Sequence, residues 1–91
     1  MRSIISNEKA CYFCGSTNWL EYHHIFNGSN RKHSTKYGLG VYLCHWCHNE
    51  PPNGVHQNKE RREHLQKIGQ EAFEKHNPDL NFLEIFKRNY K

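Results

Sequence analysis

Four cysteines stand in two pairs of equal spacing, Cys11-x2-Cys14 and Cys44-x2-Cys47, and two adjacent histidines, His23 and His24, lie between the pairs. Two thiolates three positions apart can grip one edge of a tetrahedral ion, so two such pairs supply the four ligands of a structural zinc site. Gly15 follows the first pair, where a tight turn calls for a residue free of a side chain. A thioredoxin-type redox motif would be a single Cys-x-x-Cys beside a βαβ unit, which this sequence does not offer. The histidine pair adds a different chemistry. Imidazole titrates at about pH 6.5, so it serves both as a proton acceptor at physiological pH and as a ligand for transition metals.

Those groups need elements to hold them. The runs "WLEYHHIF" and "LGVYLC" are rich in aromatic and β-branched residues and predict two short strands in a hairpin-like pair. Side chains alternate along a strand, so His23 and His24 face opposite ways, and one can bind an ion while the other faces a substrate held across it. Hydrolysis of a phosphodiester needs that combination: a base to activate water, and a cation to neutralise the phosphate and the departing oxygen. The plain alternative is two ordinary histidines on a half-buried strand. Pinning the two cysteine pairs together brings both strands to one place, so the same framework can deliver His23, His24 and His48, which directly follows Cys47, to one neighbourhood.

Between the strands, "NGSNRKHSTKYG" carries the turn signal Asn27-Gly28 and enough polar residues to predict a long exposed loop. Arg31 and Lys32 in that loop are candidate phosphate contacts, and an Arg31 fork could steady charge developing at the scissile group; two solvated charges are the competing reading. "NEPPNGVHQN", residues 49–58, is a connector, within which His56 is either a third imidazole ligand, brought back after Pro51-Pro52 ends the preceding helix, or a surface or capping histidine. His33, His45, His64 and His76 read as solvent-exposed, with His45 also placed to bond a neighbour or a phosphate. Asn58 can cap a helix with Leu65, Ile68, Ala72 and Phe73 on one face, stopped by Asn77-Pro78. A shorter amphipathic helix follows, with Phe82, Leu83, Phe86 and Tyr90 on one side. These apolar faces predict core packing over the cysteine-bearing half; a partner-binding face is the alternative.

Composition sets the limits. A chain of 91 residues, 35% of them hydrophobic, is one domain, and at this size only ~60% of the unfolded chain's surface is buried, so disulfides or a structural metal are expected to supplement the core. Thirteen Lys and Arg against nine Asp and Glu give a net charge of +4, compatible with a polyanionic partner. The excess is spread through both halves, without a basic tail. "MRSIISNEKA" holds no apolar run long enough for a signal peptide, so a reducing compartment, in which metal-bound thiolates outlast disulfides, is expected, and no segment reads as membrane-spanning.

"CYFCG", "EYHHI" and "LCHWCHN", within residues 11–50, resemble in order the first zinc knuckle, the Asp/His-His-Ile strand and the Leu-Cys-x-x-Cys-His helix start of the HNH, or ββα-metal, nucleases, particularly small phage-type members with a four-cysteine zinc site. The resemblance implies a zinc-stabilised ββα-metal domain; with the elements read above, a small α+β fold is expected, with a tail over residues 1–9, the motif over 10–50, a connector over 51–58 and two amphipathic helices over 59–91. It implies His23 and His48 as ligands of a catalytic divalent metal, His24 as the general base, and single-metal cleavage of DNA, duplex or branched, to 5′-phosphate and 3′-hydroxyl ends. Structural Zn²⁺ at Cys11, Cys14, Cys44 and Cys47 and one catalytic ion, Mg²⁺, Mn²⁺, Ni²⁺ or Zn²⁺, are the cofactors expected; homodimerisation and the cytoplasm of a bacterium or phage-infected host complete the picture. Two positions depart from the pattern. His23 stands where most relatives have Asp, which favours Mn²⁺, Ni²⁺, Co²⁺ or Zn²⁺ over Mg²⁺. Leu39 stands where the family has its middle Asn, leaving Asn27 or Asn30 to brace the loop. The competing functions are a non-catalytic zinc-ribbon module that binds nucleic acid and an interaction adaptor built on the C-terminal helices.

Overall fold

The two runs of β-favouring residues form two strands in the structure, a computed structural model that describes residues 3–91. Strand β1 (Leu20–His24) pairs antiparallel with β2 (Gly40–Cys44), setting His23 opposite Val41 and His24 opposite Gly40. Alternation then sorts the side chains. His23 is buried on the face shared with Val41 and Leu43, while Tyr22 and His24 lie half-buried on the other, their rings edge to face at 5.3 Å.

The first cysteine knuckle docks on this sheet through the Tyr12 N–H, which donates to the Tyr42 carbonyl at 2.9 Å. Gly15 closes the knuckle with φ of +78°, a left-handed conformation that explains the glycine, and donates to the Cys11 carbonyl at 2.9 Å. The second knuckle starts at the end of β2: Cys44 is the N-cap of α2 (His45–Asn49), a single turn that carries Cys47 and His48 and ends at Glu50, ahead of Pro51 and Pro52. The connector then folds back on α2, with Val55 N–H donating to Cys47 O at 2.9 Å and His56 N–H to His48 O at 3.4 Å.

The polar stretch expected as an open loop is instead largely helical. A 3₁₀ turn (Gly28–Asn30) leads into α1 (Arg31–Tyr37), closed by Gly38 in the left-handed region at φ +68°. Seven residues do not sustain an isolated helix, so tertiary contacts hold it. Ser34 is buried, and its Oγ both donates to Phe26 O at 2.9 Å and accepts from Phe26 N–H at 3.0 Å; Tyr37 packs edge-on against Phe73. Residues 3–6, read as part of a tail, lie against the same region: Ser3 Oγ donates to Gly40 O at 2.6 Å and Ile4 N–H to Gly38 O at 2.9 Å.

Helix α3 (Lys59–His76) runs 18 residues, with Asn58 Oδ1 accepting from the Arg61 N–H at its start and Asn77 at its end, as the sequence predicts. Its buried stripe is Leu65, Gly69 and Phe73, spaced four apart, with Ile68 and Ala72 at the margin. Gly69 lets the Phe26 ring approach: a Cβ there would lie 3.1 Å from the ring. Helix α4 (Phe82–Phe86) is shorter than expected. Lys87 turns left-handed at φ +66° and stops it, so Tyr90 reaches the core from an irregular segment, its N–H held by Gln70 Oε1 at 2.7 Å. Leu83 does not join Phe82 and Phe86 but is 55% exposed, because residues one apart on a helix diverge by about 100°. Phe82 and Phe86 stack at 4.1 Å and close, with Phe26 and Phe73, an aromatic core continuous with Ile25, Leu39, Val41 and Leu43. The whole is a small α+β fold. Among the described residues no helix is long and apolar enough to cross a membrane.

Candidate metal centres

The sulfurs of Cys11, Cys14, Cys44 and Cys47 all lie within 4.8 Å of one another, and Cys14 Sγ approaches Cys44 Sγ to 3.6 Å. Four sulfurs about 2.3 Å from a shared ion in a tetrahedron would be about 3.8 Å apart, so the cluster fits zinc. All four are free thiols. Burial pushes Cys11 up, but backbone N–H groups of Cys44, Cys14 and Phe13 outweigh it and bring its pKa down to about 6, whereas burial and the neighbouring thiols push Cys47 up to about 12. A divalent cation held by the four sulfurs would displace their protons and offset the repulsion between the thiolates. Arg61 on α3 supports the cluster, its guanidinium donating to Cys47 Sγ at 3.6 Å while lying 4.4 Å from the centre of the Phe13 ring in the other knuckle.

A second cluster is made of imidazoles. His23 from β1, His48 from α2 and His56 from the connector bring one ring nitrogen each within 4.8 Å of the others. His48 Nε2 and His56 Nε2 are 3.1 Å apart, within the span of about 2.9–3.4 Å set by two nitrogens bound at 2.0–2.1 Å to one octahedral or tetrahedral ion. His56 therefore stands with His23 and His48, placed there by the backbone bonds that fold the connector onto α2. Burial, reinforced by the imidazoles of His48, His56 and His24, brings the pKa of His23 down to about 3. Burial likewise lowers His56, aided by His48 and Arg62. Neutral rings keep their lone pairs free, the state a metal ligand requires.

His24 does not join this cluster; it faces the other side of β1, half-buried, its pKa lowered by burial and by the positive charge of Arg31. Arg31 and Lys32 are exposed in the first turn of α1. Among the described residues His33, His45, His64 and His76 belong to neither metal-type cluster. Asn30 does not brace the motif loop but donates to Phe86 O at 3.0 Å, and Asn27 is exposed and makes no capping bond through its side chain; the bridge across the loop is Ser34.

Sequence reasoning missed the groups that orient His48. Glu21 Oε1 accepts from His48 Nδ1 and from Asn49 Nδ2, both at 2.7 Å, which leaves His48 Nε2 facing the other imidazoles. A carboxylate behind a ligating histidine fixes its tautomer and raises its basicity. The bond from His48 holds Glu21 below the usual carboxylate range. His45 is clamped between two acids, Nδ1 at 3.3 Å from Glu21 Oε2 and Nε2 at 3.2 Å from Glu50 Oε1, and those bonds raise its pKa. The available signal was spacing: Glu21 lies two residues before His23 and so shares its face of the strand. No family model, curated protein or solved structure matches this chain.

Proposed function

We propose that the chain is a metal-dependent DNA endonuclease of the HNH, ββα-metal kind, with His24 as its general base. One observation carries this reading: three imidazoles from three separate elements converge ligand nitrogen to ligand nitrogen, while a fourth stands next to one of them in sequence, uncommitted and facing the other way. Four thiols already suffice for a structural zinc ion, so the imidazoles are not needed to complete it. In this reading β1, β2 and α2 form the ββα-metal element, and α1, α3 and α4 are built around it.

His23, His48 and His56 would hold the second ion, with Glu21 behind His48. A divalent cation held there would supply charge neutralisation for cleavage of the phosphodiester. The chain's own groups do the rest. His24 takes a proton from water; its lowered pKa keeps it neutral, and so competent, on the acid side of neutrality. Arg31 and Lys32 contact phosphate at the start of α1, and the charge of Arg31 also biases His24 toward its neutral form. Three imidazole donors favour Mn²⁺, Co²⁺, Ni²⁺ or Zn²⁺ over Mg²⁺.

The test is relaxation of supercoiled plasmid by purified zinc-loaded protein across a series of added divalent metals, with His24→Ala in parallel. Wild type is expected to nick with a transition metal, and His24→Ala to lose at least about 100-fold in rate, as removal of a general base does. Equal rates for the two proteins sink the assignment of the base. Binding without cleavage by wild type under any metal would point instead to a non-catalytic zinc-ribbon module.

A further inference from the structure

Trp19 and Trp46 are the only tryptophans in the chain, and both are exposed, at 71% and 51%. They come from different elements, one just before β1 and one inside the second knuckle, yet their rings meet at 5.0 Å and 53°. With Leu20, Glu21 and His45 they line an open groove of about 480 Å³. Large apolar side chains gain by burial, so two indoles paired at the surface call for a ligand. Trp19 also takes φ of +50°, a conformation that side-chain-bearing residues disfavour, and its carbonyl is held there by the His45 N–H at 3.0 Å.

The groove adjoins the imidazole cluster. Glu21 lines the groove and also bonds His48, so one side chain separates them. Two tryptophans beside a carboxylate could form a cage for a cation, but the carboxylate that lines this groove, Glu21, is engaged by His48, Asn49 and His45. What remains is a tilted aromatic wedge, which fits a flat, uncharged ring. We propose that the Trp19–Trp46 groove is a stacking subsite for an unpaired nucleobase. The substrate class is then DNA that presents an unstacked nucleotide beside the scissile bond, as in single strands, flaps, branches and the transiently opened stretches of a supercoiled circle, in preference to relaxed duplex. The nucleic-acid identity of the ligand rests on the nuclease reading; the aromatic subsite rests on its own geometry.

Because there are no other tryptophans, fluorescence excited beyond the absorption band of the five tyrosines reports on this groove alone. The experiment titrates zinc-loaded full-length protein, with no other metal added, with a 12-nucleotide single strand, with the matching blunt duplex and with an arginine-rich peptide, and repeats the single-strand and duplex titrations on Trp46→Ala using dye-labelled DNA. The single strand is expected to quench the tryptophans and the duplex to leave them nearly unchanged. Trp46→Ala is expected to weaken single-strand binding by about 5- to 100-fold, the range for loss of one stacked base, with duplex affinity changed less than about twofold. Both side chains are exposed, and retained zinc content and circular dichroism verify that the variant folds. Unquenched wild type, equal single-strand binding by Trp46→Ala, or quenching by the peptide alone overturns the proposal. Cleavage is not read in this assay. Stacking by a protein that cuts nothing supports the subsite and sinks the nuclease, while cleavage with silent tryptophans sinks the subsite alone.

Discussion

Replacing Glu21 by Gln tests whether His48 is a metal ligand supported from behind. The carboxylate receives two bonds at 2.7 Å on one oxygen, from His48 and Asn49, and one at 3.3 Å from His45 on the other. The amide keeps an acceptor for His48 but loses the negative charge that strengthens that bond and makes the ring a better donor to an ion. Charge-assisted bonds exceed neutral ones by about 1 kcal/mol each, and loss of such a supporting group lowers metal affinity by about 10- to 100-fold. Glu21 is 38% exposed, and water screens part of its charge, so the expected loss is at the low end, about tenfold or about 1.4 kcal/mol. Glu21→Ala, which removes the acceptor as well, should approach 100-fold. The assay is calorimetric titration of Ni²⁺ into protein already carrying zinc on its thiolates. Nickel binding by Glu21→Gln within twofold of wild type would refute a supporting role behind His48, and so would loss of zinc from the variant, which would mark Glu21 as a general structural support.

Other consequences are checked more simply. Cys44→Ser is expected to release the structural ion and abolish cooperative thermal unfolding, because zinc binding and folding share one free energy; a zinc-free variant that still melts cooperatively contradicts this. Phe26 is fully buried against Phe82, Phe86 and Tyr90, so Phe26→Ala should cost about 3–5 kcal/mol in denaturant unfolding with zinc content retained. A loss below about 1 kcal/mol would mean the aromatic core repacks freely. Cleavage should fall on the acid side as His24 gains a proton, and since the Arg31 charge helps lower its pKa, Arg31→Gln should move that acid limb toward higher pH; a limb that stays put or moves the other way removes His24 from the rate.

What could be read from the sequence is what local rules govern. Alternation along β1 separates His23 from His24, the two cysteine spacings specify a four-sulfur cluster, and Asn58 and Asn77 bound α3. The rest depends on partners distant in the chain. Helix α1 has no apolar periodicity; it exists because Ser34 bridges the Phe26 backbone and Tyr37 meets Phe73, contacts that no window of residues reveals. His56 could be named as a candidate but not chosen over a surface role, since its arrival beside His48 depends on backbone bonds from the connector to α2. Glu21 carries no distinguishing signal, because a lone acid on a strand reads as solvated until its donors are known. The end of α4 escaped for the same reason: Lys87 carries no breaker signal, and Tyr90 is drawn away by the buried amide of Gln70.

Two separate ion sites, one of sulfur and one of imidazole, are the central expectation. X-ray absorption at the nickel edge, on protein holding one zinc and one nickel ion, reads the second site directly. The expected nickel shell is nitrogen and oxygen with the outer scattering of three imidazoles and no sulfur, reduced to two imidazoles in His56→Ala. Nickel bound by sulfur, or a spectrum unchanged by loss of His56, would contradict it.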